Sequence, residues 1–170
     1  MIGIATLVVL LLMGRNPTCP CGWVDLWGTV GTSEGSQQVF DWYWPSHLLH
    51  GVLFYALLWA VARRMDVGWR LVIATLVECA WEIVENTDAV IERYRTATVS
   101  RDYLGDTVLN SVMDVACMGF GFWLARRLPV WASAFLACFR VAFRLTLSPR
   151  LLTLEKGMES PEAPTNTTYG

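Results

Sequence analysis

Three glutamates, Glu78, Glu82 and Glu85, stand in a mostly apolar run covering residues 71–90. On a helix their i, i+4, i+7 spacing stacks them on one face. An ionisable group at membrane depth costs several kcal/mol unless it meets a partner or water, so such a stripe needs something inward to face. Two other apolar runs supply it. His47 and His50 open one, and Asp106, Asn110 and Asp114 recur at i, i+4 and i+8 through the start of another. With Asn86 following the glutamates, imidazole, carboxylate and amide groups from three helices are expected to converge at one depth.

The residue types define the chemistry open to such a group. Two imidazoles with carboxylates suit zinc, manganese or iron, which makes His47, His50 and Glu82 candidate ligands of a divalent metal. Without a metal, crowded carboxylates divide into a general acid and a general base near neutral pH. Glu82, Glu85, Asp106 and Asp114 are the candidate catalytic groups on that reading. Arg93, Arg95 and Arg101, with the amides Asn86 and Asn110, are candidates to hold a phosphate or polar headgroup at the membrane surface. The plainer alternative is that these polar groups satisfy one another and fix helix packing, at ~1 kcal/mol per contact in lipid. A pair would read that way; so many at one depth favour a pocket. No Gly-rich phosphate loop and no His-Glu-x-x-His motif is present.

The elements that must position these residues are apolar spans at about 1–14, 46–62, 70–90 and 104–125. The expected fold is all-α: a polytopic membrane helix bundle of about four spans in a single domain, 1–150. An amphipathic C-terminal helix follows at 130–147, where Arg140 and Arg144 suit the headgroup region better than a fifth span. The polar tail, 151–170, is expected to be disordered. Composition agrees with a membrane chain. Of 170 residues, 54% are hydrophobic, only 16% are charged and one is Lys (Lys156), and mean hydropathy is +0.40; a soluble domain carries more charge. A net charge of −2 without a basic tract argues against nucleic acid as a partner.

Arg63-Arg64 and Arg126-Arg127 close two spans that run in the same direction, which places those ends, and the tail, on the cytoplasmic side. The polar groups then lie in the outer leaflet. The first span has no basic leader and no small-x-small cleavage site, so a signal peptide is not expected. Residues 15–45, with Trp23, Trp27, Trp42, Tyr43 and Trp44, read as a loop on the membrane surface with a helical turn at 34–40. Ser46, after Pro45, reads as the cap of the second span. Cys19-Pro20-Cys21 admits a metal half-site, a strained disulfide or a redox pair, but two thiols in a tight turn is the favoured reading. Cys79, Cys117 and Cys138 read as packing residues.

Several motifs stand together in this order: Met13-Gly14-Arg15, Cys19-x-Cys21-Gly22, Glu34-x-Ser36-Gln37, Asp41-Trp-Tyr-x-Pro-Ser-His47-x-x-His50-Gly51, Trp81-Glu82-x-x-Glu85-Asn86, Arg93-Tyr94-Arg95, and Asp102-Tyr103-x-Gly105-Asp106-x-x-x-Asn110-Ser111-x-x-Asp114. Over about 13–131 the sequence resembles an uncharacterised family of small bacterial inner-membrane proteins. That resemblance implies a multi-pass protein of the plasma membrane and no known activity. Against that family the first span looks short, and the sequence past Trp131 departs from the family's pattern. More loosely, a His, a Glu and then Arg, Asp and Asn ahead of a Gly-bearing helix look like the VanZ-type family, linked to low-level teicoplanin resistance. That likeness would single out His50, Glu82, Arg101, Asp106 and Asn110.

The functional expectation is an integral membrane protein whose outer-leaflet pocket binds or modifies a lipid-linked or envelope substrate. The alternative is a non-enzymatic accessory or assembly subunit. Proton-coupled transport ranks last, because the inner halves of the second and fourth spans offer almost no polar path.

Overall fold

A computed structural model describes residues 2–29, 32, 34–97, 102–133, 135 and 138. Five helices follow in order: α1 (Ile2–Leu12), α2 (Trp44–Val61), α3 (Val67–Glu85), α4 (Asp88–Ala97) and α5 (Val108–Arg127). No strand occurs among the described residues, where an isolated bridge pairs Trp27 with Phe40. The chain is all-α, as its periodicity requires.

α2, α3 and α5 form the central bundle, with α1 against α3 and α5 and α4 against α3. α2 and α5 cross at glycines. A Cβ on Gly51 would lie 2.0 Å from the Met118 carbonyl oxygen, and one on Gly121 would lie 2.0 Å from that of Leu48. Only hydrogen fits at either position, and the first turn of α2, with His47, stands opposite Asp114 in the second turn of α5. Toward the other end, Ala74, Met118 and Phe122 are buried together, with Phe54, Tyr55, Leu58 and Val67 packed around them.

The helix starts explain the boundaries. α5 begins at Val108 rather than 104, because Gly105 turns the chain at φ +85° and the Thr107 hydroxyl accepts the Asn110 N–H. Asp66 caps α3 through the Gly68 N–H. For α2 the capping role falls to Asp41 rather than Ser46: its carboxylate accepts the Tyr43 and Trp44 N–H groups at 2.7 and 3.1 Å. Ser46 lies inside the helix and donates to the Tyr43 carbonyl. α3 ends at Glu85, short of the expected 90, and Asn86 takes the C-cap. Residues 88–97 then form a separate helix, with Asp88 in its first turn and Arg95 in its last, as the helix dipole favours.

The segment between α1 and α2 is not merely a surface loop. The first N–H groups of a helix have no partner within it, and here the loop provides some. Thr107, Val108 and Leu109 donate to the carbonyls of Ser36, Asn16 and Pro17 at 3.0, 2.9 and 3.1 Å. Gln37 and Gln38 are buried beneath it. Residues 34–37 make turns instead of a helical turn. Cys19 and Cys21 are joined in a disulfide, so the two-thiol reading is corrected; Cys79 and Cys117 are free and buried.

By length and composition α5 is able to cross a membrane, and α1 is apolar but only 11 residues long. α2 and α3, at 18 and 19 residues, are similar in length to α5. Their sequences, however, carry His47 and His50, and Arg70 with three glutamates. Large apolar side chains face outward on all four, among them Leu12, Leu57, Val61, Leu76, Val77 and Phe120. The expected helix at 130–147 is helical at 130–133; its stretch from 139 and the tail lie outside the described residues.

Candidate functional site

His47 sits in the first turn of α2 and is 4% exposed. Its Nδ1 lies 2.7 Å from Glu78 Oε1 and 3.4 Å from Glu82 Oε1, while its Nε2 lies 3.8 Å from Asp114 Oδ2. His50, one turn on, directs Nδ1 at both oxygens of Glu78, 3.2 and 3.1 Å away. Glu78 is therefore the partner of both imidazoles. Glu82 is 0% exposed and Asp114 2%. Neither oxygen of Glu82 has a partner at good hydrogen-bond geometry, its nearest polar neighbours being His47, Ser111 and Glu85; Asp114 Oδ1 and Asn110 Oδ1 likewise lack one.

The described ion pairs of these carboxylates are with histidine alone; Arg15 pairs with Asp88 and Arg95 with Glu92. Three sets each bring one ligand atom per residue within 4.8 Å of the others: His47, His50 and Glu78; His47, Glu82 and Asp114; Glu82, Glu85 and Asp106. The metal set expected from sequence, His47, His50 and Glu82, is thus divided between two neighbouring groups that share His47.

Above these groups lies a cavity of about 330 Å³, lined by His47, His50, Glu85, Asp106 and Asp114. Its rim adds Ser36, Asp41, Tyr43, Tyr94 and Tyr103, which sequence reasoning did not single out for chemistry. The Ser36 hydroxyl donates to Asp41 at 2.6 Å, and Tyr103 donates to Asp106 at 2.6 Å. The hydroxyls of Tyr43 and Tyr94 are hydrogen-bonded to each other. Burial, and the Asp106 carboxylate beside it, push the Tyr103 hydroxyl far above the usual tyrosine range, which keeps it a donor. Burial and the bond to Tyr43 do the same for Tyr94. The available signal was that all five lie inside the quoted motifs.

Other expected site residues are engaged elsewhere. Asn86 accepts the Asp106 N–H at 2.8 Å and donates to Asp106 Oδ2 and the Glu82 carbonyl, both at 3.0 Å. It ties the end of α3 to the chain leading into α5. Asn110 donates to the Gln38 carbonyl at 3.0 Å and so anchors the loop. Arg93 is exposed on α4, and Arg95 donates to the Tyr103 carbonyl at 2.6 Å; neither lines the cavity. Arg101 lies outside the described residues. Arg15 is also held in place: it pairs with Asp88 at 3.0 Å and donates to the Leu104 carbonyl at 3.1 Å.

A protein family described as "Protein of unknown function (DUF2585)" matches residues 10–155. A UPF0314 protein of Paracoccus denitrificans is 64% identical over 125 residues, which cover 73% of this chain and 65% of the relative. UPF0314 proteins of Rhizobium etli and Novosphingobium aromaticivorans are 48% and 50% identical over 80% and 76% of this chain, and 70% and 68% of their own length. The chain thus spans about two thirds of the length of these relatives. No solved structure matches it. The family match continues beyond Trp131, where the resemblance was expected to end. These similarities lend no support to the VanZ-type resemblance.

Proposed function

The chain belongs to the DUF2585 family, and we propose that it is a multi-pass protein of the bacterial inner membrane whose cavity binds the polar headgroup of a lipid-linked or envelope substrate. The observation that carries this reading is a cavity of about 330 Å³ lined by carboxylates and imidazoles in a bundle whose outward side chains are largely apolar. That distribution suits lipid as the surrounding solvent, with α1, α2, α3 and α5 as the four spans. At 1.5 Å per residue α2, α3 and α5 reach about 27 to 30 Å, the thickness of a hydrocarbon core. Arg63 lies 4.3 Å from the Trp59 ring and Arg127 5.8 Å from the Trp123 ring. Paired Arg and Trp at matching ends of two helices suit the cytoplasmic interface, which leaves the cavity on the outer side.

The cavity's size is at the low end for small-molecule sites, enough for a headgroup whose acyl chains remain in the bilayer. Its rim of tyrosine hydroxyls and carboxylates offers hydrogen bonds to a hydroxyl- or amine-bearing group. A phosphate would be repelled there unless a cation accompanied it. Glu85 and Asp106 reach the cavity and stand in position to exchange a proton with a bound headgroup.

The reading is tested by profiling envelope lipids in a deletion strain. One lipid class should accumulate or disappear, and wild-type protein should restore it while Glu85→Gln, produced at equal level, should not. An unchanged lipid profile would sink the proposal. The self-satisfied part of the network, Asn86 with Asp106 and Ser36 with Asp41, favours a second reading for that portion: a scaffold that holds the bundle together in an accessory subunit.

A further inference from the structure

We infer that a divalent transition-metal ion binds beside the cavity, with His47 and Asp114, which line it, and the buried Glu82 as its ligands and Glu78 as the carboxylate that orients the imidazole. This goes beyond the headgroup reading and stands without it.

The first support is geometric. One ligand atom from each of the three residues lies within 4.8 Å of the other two. Small side-chain rotations close such a set around one ion at bond lengths of about 2.0–2.2 Å. The second support is the state of Glu82. It is 0% exposed, and both of its oxygens lack a hydrogen bond. Asp114, 2% exposed, likewise leaves Oδ1 unpaired. Burying a carboxylate without a hydrogen bond is expensive, and among the described side chains the ion-pair partner of both is His47, at 3.4 Å from Glu82 and 3.8 Å from Asp114, with no Arg or Lys. A cation between them removes that cost.

The third support is the orientation of His47. Its Nδ1 meets Glu78 at 2.7 Å, so the proton belongs on Nδ1. The Nε2 lone pair is then free on the side where Asp114 Oδ2 stands 3.8 Å away; Glu82 Oε1, now 3.4 Å from Nδ1, has to rotate toward Nε2 to complete the set. A carboxylate on one nitrogen and the metal on the other is the recurring arrangement of histidine ligands. His50, expected from sequence as a second ligand, braces Glu78 instead.

One imidazole with two carboxylates selects zinc, manganese or ferrous iron over calcium or magnesium, which prefer oxygen alone. Three protein ligands leave a coordination position open. Glu85 and Asp106, which lie with Glu82 in the adjacent set and line the cavity, are placed to receive whatever occupies it. Such an ion also supplies the positive charge that a phosphate-bearing headgroup needs in an acidic cavity.

The experiment uses the full chain purified in mild detergent, stripped with a chelator and dialysed against zinc, manganese or magnesium. Elemental analysis should find about one equivalent of zinc or manganese retained, as a three-ligand site requires, and no magnesium. Glu82→Gln and Asp114→Asn should lose it. Glu78→Gln, which keeps all three ligands, should weaken metal binding about 10- to 100-fold, as loss of an orienting partner does. Should the ligand variants not fold, cobalt loading of the wild type decides: low-symmetry visible bands are expected, and their absence overturns the site. Uptake of no transition metal by the stripped wild type also overturns it, as does unchanged uptake by folded Glu82→Gln and Asp114→Asn. The lipid profile remains independent. A metal-free protein with a lipid phenotype defeats only this inference, and a metalloprotein without one defeats only the headgroup reading.

Discussion

The two ends of the α2–α3–α5 bundle use the same three helices to meet opposite demands. At one end Ala74, Met118 and Phe122 close on Phe54, Tyr55 and Leu58, and the requirement is volume alone. At the other, His47, Glu78, Glu82, Asn110 and Asp114 occupy equally buried positions, where every polar atom needs a partner. Most find one. Those that do not are both oxygens of Glu82 and one each of Asp114 and Asn110; at the opposite end of α3 the unpaired buried atoms are two nitrogens of Arg70. An apolar core stabilises by what it excludes from water; the polar end leaves groups ready for something to be added. Gly51 and Gly121 join the two ends, since their contact fixes how closely α2 and α5 approach along both.

The comparison can be broken most severely at that crossing. Gly121→Ala forces a Cβ to within 2.0 Å of the Leu48 carbonyl, and no side-chain movement relieves a backbone clash. Loss of a stable, monodisperse bundle is expected, at well over about 3 kcal/mol. A melting temperature in detergent within a few degrees of wild type would refute the close crossing. Next in size is the apolar end. Met118→Ala removes a fully buried side chain and should cost about 3 kcal/mol, lowering the thermal midpoint while leaving metal uptake intact.

Asn86→Ala separates structural from functional polarity at the other end. It deletes four hydrogen bonds, including both to Asp106, and should cost about 2–3 kcal/mol. Glu82→Gln, four residues away on the same helix, removes a charge with no hydrogen bond to lose. Its unfolding free energy in metal-free buffer should stay within about 1 kcal/mol of wild type or rise. Equal losses for the two variants would abolish the distinction between braced and unbraced groups.

The smallest effect expected is at the rim. Tyr103→Phe removes one donor to Asp106 and should cost about 1 kcal/mol at neutral pH. Because burial raises the Tyr103 pKa in the folded protein above the ordinary 10.0, its contribution is full below pH 10 and is lost as the pH rises through the folded value. Wild type should therefore lose stability above pH 10 more steeply than Tyr103→Phe, as alkaline denaturation curves would show.

Much of this was legible in the chain. The i, i+4, i+7 spacing of Glu78, Glu82 and Glu85, and the matching repeat of Asn110 and Asp114, set helices and their polar faces, because side-chain direction along a helix depends only on residue count. The all-α class follows from the same local rule, whereas the expected convergence of His, Glu and Asp also needed the order and direction of the spans. Other features were hidden for physical reasons. The apolar run to residue 90 masks the end of α3, which is set by Asn86 reaching across to Asp106 rather than by any change in hydropathy. The burial of Gln37 and Gln38 depends on the N–H groups that open α5, some 70 residues later in the chain.

What the sequence determined by itself was therefore the set of groups and the faces that carry them. Tertiary structure decided the partners. Both histidines turn to Glu78, Glu82 is left without a hydrogen bond, and Arg93 and Arg95 stay clear of the cavity. Those outcomes depend on the rotation and depth of one helix against another, which the contact of Gly51 with Gly121 fixes and which no periodicity within a single helix encodes.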